Sequence, residues 1–335
     1  MKTTKEIAVV ILNWNGRKLL ETFLPSVVNY SPEAQLYVAD NASTDDSVDF
    51  LQTTYPEIQI IQLPENGGYA KGYNQALQQV NEPIHILLNS DVEVSKNWLP
   101  PILAHFKNHP ETAIAQPKIL DYKKPNYFEY AGAAGGFIDK LGYPYCRGRI
   151  FDTLEEDTHQ YNNSCPIFWA SGACLVIRKE VFLSLNGFDE DYFAHQEEID
   201  LCWRAFNKGF QSYYIAESTV YHLGGATLSK MNAKKTFLNF RNSLYNLLKN
   251  VATPKAYFLI FIRLCLDGLA GVFFLCQGKP KHTLAIIHAH FSFYKNSVKI
   301  YKKRNSKVSY KPYSNVNALI INYFIKSQKN YKNLK

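Results

Sequence analysis

Acidic residues almost vanish from the last third of the chain. Residues 226–335 carry one Asp or Glu against 20 Lys and Arg, whereas residues 1–225 carry 28 against 17. A tail so short of negative charge suits a polyanion, either a nucleic acid or an anionic membrane surface. No recognised nucleic-acid-binding motif accompanies it, so no nucleic-acid partner is expected. Cysteine is sparse: the six at positions 146, 165, 174, 202, 265 and 276 form no CxxC and no metal-ligand spacing. That argues against a zinc module or a disulfide framework and favours a reducing compartment. No signal peptide is expected, because the apolar stretch 7–12 is too short for an h-region and runs into NWNG. Internal repeats are also missing. A long apolar run free of charge is lacking too: residues 257–277 include Arg263 and Asp267. Their insertion penalty, about +5 to +7 kcal/mol, offsets the roughly −4 to −7 kcal/mol from twelve Leu, Ile, Val and Phe. An in-plane or re-entrant helix is expected instead, with Lys279, Lys281, Lys299, Lys302, Lys303 and Arg304 toward anionic lipid. A helical subdomain packed on the core or on another subunit is the alternative.

What is present is a globular composition, 46% apolar over 335 residues. That length fits one large domain, residues 1–225, plus a basic helical region, residues 226–335. Strand and helix alternate at the start. Strands are expected at 7–13, 35–40, 57–62 and 84–88. Helices are expected at 17–30, from about Asp45, and from Asn66-Gly67-Gly68 to about Val80. This βαβα order predicts an α/β fold with a doubly wound, mostly parallel sheet, whose ligands bind beyond the carboxyl ends of the strands. Polar residues fall there each time: Asn13 to Asn15, Asp40 and Asn41, Asn66 to Gly68, Asn89 to Asp91. Residues 121–165 read as loops around the site. Residues 167–177 read as a strand interrupted at Ser171-Gly172, residues 190–208 as a loop and helix, and 211–215 as a further strand. Helices are expected at 227–249, 257–277 and 282–303.

Two acidic passages carry the chemistry. Asp91 and Glu93 follow a strand buried on both faces, IHILLN. On an extended chain they share a face, and hard carboxylates suit Mg²⁺ or Mn²⁺ bridging to phosphates. A polar turn is the plain alternative. In FAHQEEIDLCWRA, residues 193–205, Glu197, Glu198 and Asp200 fall in the first turn of a helix. Acidic residues there merely complement the helix dipole, or one faces a cleft as general base while another holds local structure.

Together VVILNWNG, VADNASTDDS, NGGYAKGYNQA, LLNSDVEV and GFDEDYFAHQEEIDLCWRA resemble the family 2 inverting glycosyltransferases of GT-A fold, closest to the rhamnosyltransferase-like branch, over residues 6–225. The resemblance implies a nucleotide-diphosphate sugar donor and a glycan or lipid-linked acceptor, with a divalent ion as cofactor. It points to surface polysaccharide synthesis at the inner, cytoplasmic face of the cell membrane. It implies that Asn13, Asn15, Asp40, Asn66, Gly67 and Gly68 line the nucleotide pocket. Asp91, with Glu93 and His222, would hold Mg²⁺ or Mn²⁺, and Asn89 replaces the first Asp of the metal motif. Glu198 aligns with the catalytic base, where Glu stands for the usual Asp, and Glu197 or Asp200 would share the role. Trp169, Ser171 and Gly172 would shape the acceptor pocket, or form a buried Trp before a tight turn. Arg241-Asn242 matches a polar pair near the diphosphate, or a solvated helix face. A nucleotidyltransferase is a poor fit, since NWNGRK offers one glycine where a triphosphate loop needs several. A transferase that only binds, or a nucleic-acid-binding module on the basic tail, are the remaining rivals; a salt-sensitive DNA or RNA complex would identify the latter.

Overall fold

Side chains of β1 (Ile7–Asn13) alternate between two cores. Ala8 and Val10 enter one, Ile7, Val9 and Ile11 the other, and all five are buried. A strand covered on both faces reads as continuous apolar sequence, and VVIL does. The computed structural model describes residues 5–224, 233–304 and 311–334. One face is covered by α1 (Arg17–Tyr30) and α4 (Leu99–Asn108), through Leu20, Leu24, Leu99 and Ile102. The other is covered by α3 (Gly68–Ala76), α6 (Glu197–Asn207) and α7 (Ala233–Asn250), through Ala70, Tyr73, Ile199 and Leu244. Burial of each Leu or Ile side chain among these contributes about 1.5–3 kcal/mol.

The remaining strands are β2 (Ala34–Asp40), β3 (Gln59–Gln62), β4 (Ile84–Asn89), β5 (Val92–Val94) and β6 (Thr112–Asp121), then β7 (Gly136–Ile138), β8 (Pro144–Cys146), β9 (Arg149–Ile150) and β10 (Thr153–Leu154), and last β11 (Cys165–Ile167), β12 (Cys174–Arg178) and β13 (Gln211–His222). The large sheet runs β11-β13-β6-β12-β4-β1-β2-β3, with β5 on β13. Its β4-β1-β2-β3 half is parallel. Register then does the positioning. Asn13 pairs with Asp40, Asp40 with Gln62, and Leu12 with Asn89, so four polar strand ends reach one rim. β12 lies antiparallel to its neighbours, and β13 returns parallel to β6, bulged between Ile215 and Thr219, to bring His222 to the same end. The α/β architecture expected from the βα alternation is present, with antiparallel strands added.

Residues 121–165 are not the loops expected. β7 to β10 form a four-stranded antiparallel sheet there, and Tyr145 and Ile150 share a cluster with Val316 and Leu319 of the chain's end. Short strands joined by tight turns leave too little periodicity to read in advance.

The C-terminal region holds α7, α8 (Lys255–Cys276) and α9 (Pro280–Lys302). The expected start of the first helix at Thr227 lies outside the described residues. By length and composition α8 could cross a membrane. Its two mid-helix charges, Arg263 and Asp267, are both buried against the protein. Arg263 donates to the Leu141 carbonyl at 3.0 Å and to Ser243 Oγ at 2.7 Å, and lies 3.8 Å from the Tyr143 ring centre. Asp267 meets His290 at 3.3 Å. A span would surrender these partners and place each charge in hydrocarbon, at about 2.5–3.5 kcal/mol apiece.

Candidate functional site

The rim of the parallel half is an ordered turn network. Asn13 and Asp40 are buried side by side, with the Asn13 amide 3.3 Å from Asp40 Oδ1 and 3.3 Å from Ser43 Oγ. Asp40 Oδ2 accepts the Ser43 N–H, and Asn15 Oδ1 accepts the Thr44 N–H at 2.7 Å. Asn41 links this turn to the next: its amide donates to Asn66 Oδ1 and the Gly68 carbonyl, and its Oδ1 accepts the Gly67 N–H. Gly68 has φ 70°, and a Cβ there would lie 2.9 Å from the Phe193 carbonyl oxygen. The glycine therefore serves both a left-handed turn and a close approach. Through it the NGG turn abuts the loop that enters α6. Trp14, between Asn13 and Asn15, is 48% exposed.

Asp91 sits in the turn after β4, and its Oδ1 lies 3.1 Å from His222 Nε2. His222 Nδ1 lies 3.2 Å from Glu129 Oε1, and all three residues are buried. Burial works against an imidazolium, but Glu129 and Asp91 outweigh it and push His222 up to about 10. Glu93 is not part of this group. The turn at Asp91 breaks the extended geometry assumed for the pair, and Glu93 stands on β5 opposite Tyr221. Among the described residues no three His, Cys, Asp or Glu side chains form a closed metal cage. Asp91 does fit a divalent ion that draws its other ligands from a diphosphate, and His222 would join it as a nitrogen donor on giving up the proton that Asp91 and Glu129 hold on its ring.

The third part is the loop before α6. Phe193, His195 and Gln196 all have φ between 65° and 69°, costly for residues with a Cβ. Asn242 of α7 holds them. Fully buried, its amide donates to the carbonyls of Tyr192, Ala194 and His195 at 3.2, 3.0 and 2.7 Å. Arg241 donates to the Asp191 and Tyr192 carbonyls, and Gln196 to that of Asn239. This pair is thus not a solvated helix face. Replacing Asn242 with Ala leaves buried carbonyls unpaired and should lower stability by about 1–3 kcal/mol. If the loop positions the base, kcat should fall by up to about 10²-fold with KM for the donor little changed. Steady-state kinetics below the melting transition separate the two effects.

The three carboxylates of the loop and helix part company. Asp200 is fully buried against Arg204 Nε at 2.7 Å, Lys249 Nζ at 2.9 Å and Asn250 at 3.0 Å. Burial opposes its charge, but Arg204 and Lys249 hold the carboxyl well below the usual range. It holds structure and has no path to a substrate, which corrects its candidacy as a base. Glu197 is buried with Oε2 unpartnered among the described residues, and burial beside Glu198 drives its carboxyl well up. Glu198 is half-buried, and burial pushes it up to about 7. Tyr69 stands beside both: burial, with Tyr73, Glu197 and Glu198, raises its phenol, whose hydroxyl donates to the Gly172 carbonyl at 2.9 Å.

The raised Glu198 carboxyl has a stability signature. From the ordinary value near 4.5 up to about 7, the folded protein keeps a proton that the unfolded chain has released, so stability falls as pH rises. Glu198→Gln removes that loss. The variant should match the wild type at pH 4 and exceed it at pH 8 by up to about 3 kcal/mol in urea melts.

Trp169 and Ser171 also need correction as acceptor contacts. Trp169 is 2% exposed, donates its indole N–H to the Phe137 carbonyl, and packs on Gly136, where a Cβ would fall 2.2 Å from the ring. Ser171 is buried, its N–H bonded to Gln116 and its Oγ to the Ala173 N–H. Gly172 remains beside Tyr69. Sequence reasoning missed Trp14, Tyr69 and Glu129. Glu129 lies in the stretch without periodicity and gave no signal. Trp14 was legible as an aromatic flanked by two rim asparagines.

The sequence profile described as glycosyl transferase family 2 matches residues 8–183. The N-acetylglucosaminyl-diphospho-decaprenol L-rhamnosyltransferase of Mycobacterium tuberculosis is 26% identical over 238 residues, 65% of this chain and 76% of that protein. S. aureus TarS 1–349 in complex with UDP-GlcNAc superposes with a TM-score of 0.55 at 15% identity, over 89% of this chain and 84% of that one. The mannosyltransferase PcManGT from Pyrobaculum calidifontis, in complex with GDP-Man and Mn²⁺, gives 0.52 at 13% identity over 88% of each. The two superpositions show a common fold.

Proposed function

Because the chain belongs to glycosyltransferase family 2, we propose that it moves a hexose, rhamnose or a similar sugar, from a nucleotide-diphosphate donor to a glycan or lipid-linked acceptor, with inversion. The observation that carries this reading is one rim. Four parallel strand ends, the Asp91–His222 pair and the loop that leads into Glu198 at the start of α6 all lie there. The rhamnosyltransferase relative supports the choice of sugar and of a lipid-diphosphate-linked acceptor.

In this reading the rim turns at Asn13, Asn15, Asp40 and Asn66 to Gly68 receive the nucleotide, and the exposed face of Trp14 stacks on its base. Asp91 and His222 would hold Mg²⁺ or Mn²⁺, which supplies Lewis-acid stabilisation of the departing diphosphate. Glu198 takes the proton of an acceptor hydroxyl. That oxygen forms a bond to the anomeric carbon as the bond to the diphosphate oxygen breaks, and the nucleoside diphosphate leaves with the electron pair. Glu197, kept protonated, donates a hydrogen bond on the acceptor side, and Gly172 with Tyr69 borders the acceptor. A carboxyl at about 7 is matched to proton transfer near neutral pH, so kcat/KM should rise with an apparent pKa near 7. A lipid-linked acceptor in surface polysaccharide synthesis would place the enzyme at the cytoplasmic face of the cell membrane, with the basic C-terminal helices toward anionic lipid.

A screen of nucleotide sugars with and without Mn²⁺, read by thermal shift and by release of nucleoside diphosphate, tests the proposal. One donor should raise the melting temperature more with Mn²⁺ than without. No shift and no release with any donor would reject it.

A further inference from the structure

On α9 the residues Leu284, Ile287, Phe291, Tyr294, Val298 and Tyr301 are all exposed. Their alternating spacing of three and four puts them on one stripe of the helix. On α8 the residues Phe258, Phe261, Leu269, Val272 and Phe273 are each more than half exposed. Thr283 and His290 of α9 meet Gly271 and Asp267 of α8. Helical rotation from that seam brings the stripe and the α8 face to the same side of the hairpin. Exposed Lys281, Lys295 and Lys302 line the far flank of the stripe. So extended an apolar surface is not the outside of a free monomer.

We propose that this face of the α8–α9 hairpin is a membrane-docking surface, lying in the plane of an anionic bilayer. The apolar side chains enter the headgroup boundary, and the flanking lysines reach lipid phosphates. Charge selects this occupant over a second copy of the chain. Paired helices with such a stripe use opposite charges beside the seam, but the hairpin's one acid, Asp267, is buried against His290. Two copies would oppose lysine to lysine. The buried sites of Arg263 and Asp267 select lying over spanning. This inference rests on the membrane-surface reading above and not on the identity of the donor.

The test uses the full chain and vesicles of phosphatidylcholine, with or without phosphatidylglycerol. The protein should float with the anionic vesicles and bind the neutral ones about tenfold less. Cys265 and Cys276, exposed on α8, should react with a water-soluble maleimide in solution and several-fold more slowly on anionic vesicles. Phe258→Ser with Phe261→Ser and Phe291→Ser should abolish flotation and leave the donor's thermal shift intact. Unchanged cysteine labelling on vesicles would overturn the proposal. So would a dimer in solution that the triple variant converts to monomer. Flotation without any nucleotide-sugar response would leave this surface standing and remove the transferase reading.

Discussion

Glu198→Gln is expected to lower kcat by about 10²–10⁴-fold, the usual worth of a positioned general base, while the donor still binds. The variant keeps the shape and loses the ability to take a proton. Three features make this the most sensitive position. Glu198 is half-buried with its carboxyl raised to about 7, Asp200 is locked in ion pairs, and Glu197 is driven well up by burial. Only Glu198 combines access with a proton affinity near neutral. Release of nucleoside diphosphate, with donor binding followed by thermal shift, checks it. Activity above a tenth of wild type with unchanged binding would move the base elsewhere, to Glu197 first. Glu198→Asp offers a second reading, because it keeps the charge and withdraws it by about one bond length. It should recover part of the lost rate at saturating acceptor.

Asp91→Ala is expected to lower kcat/KM by about 10²–10³-fold, the scale for losing one element that stabilises developing charge. Here the donor's dependence on Mn²⁺ should disappear as well. Asp91 presents its oxygen 3.1 Å from His222, and Glu129 backs the other imidazole nitrogen. Removing Asp91 leaves the imidazole paired to Glu129 alone, so a one-to-one titration of Mn²⁺ should weaken in the variant. Glu93→Ala, on β5 away from the pair, should change neither quantity by more than about twofold, within the small effects usual for surface substitutions. If Glu93→Ala abolished Mn²⁺ binding and Asp91→Ala did not, the metal assignment would be reversed.

Much of the fold was legible because the first four strands obey simple rules. IAVVILN and IHILLN are nearly continuous apolar runs, the second broken only by buried His85 before its terminal Asn89, as suits strands buried on both faces, and polar residues follow each strand at the site rim. The site was legible where a residue's position followed from its strand. It was misread where tertiary context ruled. Glu93 was placed with Asp91 on the assumption of extended backbone, and a turn intervenes. Asp200 stood as a residue that could share the base's role until Lys249 and Asn250, some fifty residues on, proved to close around it. For Trp169 the sequence offered an acceptor contact or a buried Trp before a tight turn, and the close packing on Gly136 decides for the second. Glu129 became significant through His222, 93 positions away, and no local pattern encodes such a meeting.

Asp189 and Asp200 both reach Lys249, and Lys303 reaches Asp189 and Asp191. Lys249 of α7 and Lys303, just past α9, therefore neutralise acids in and around the loop that enters α6. A fragment cut after residue 225 would strand buried carboxylates, and breaking such a pair costs about 3–5 kcal/mol. Swapping this tail for that of a distant relative would do the same unless matching cations came with it. The C-terminal helices are consequently no interchangeable appendage: they and the α/β half must be inherited, engineered and expressed as one piece.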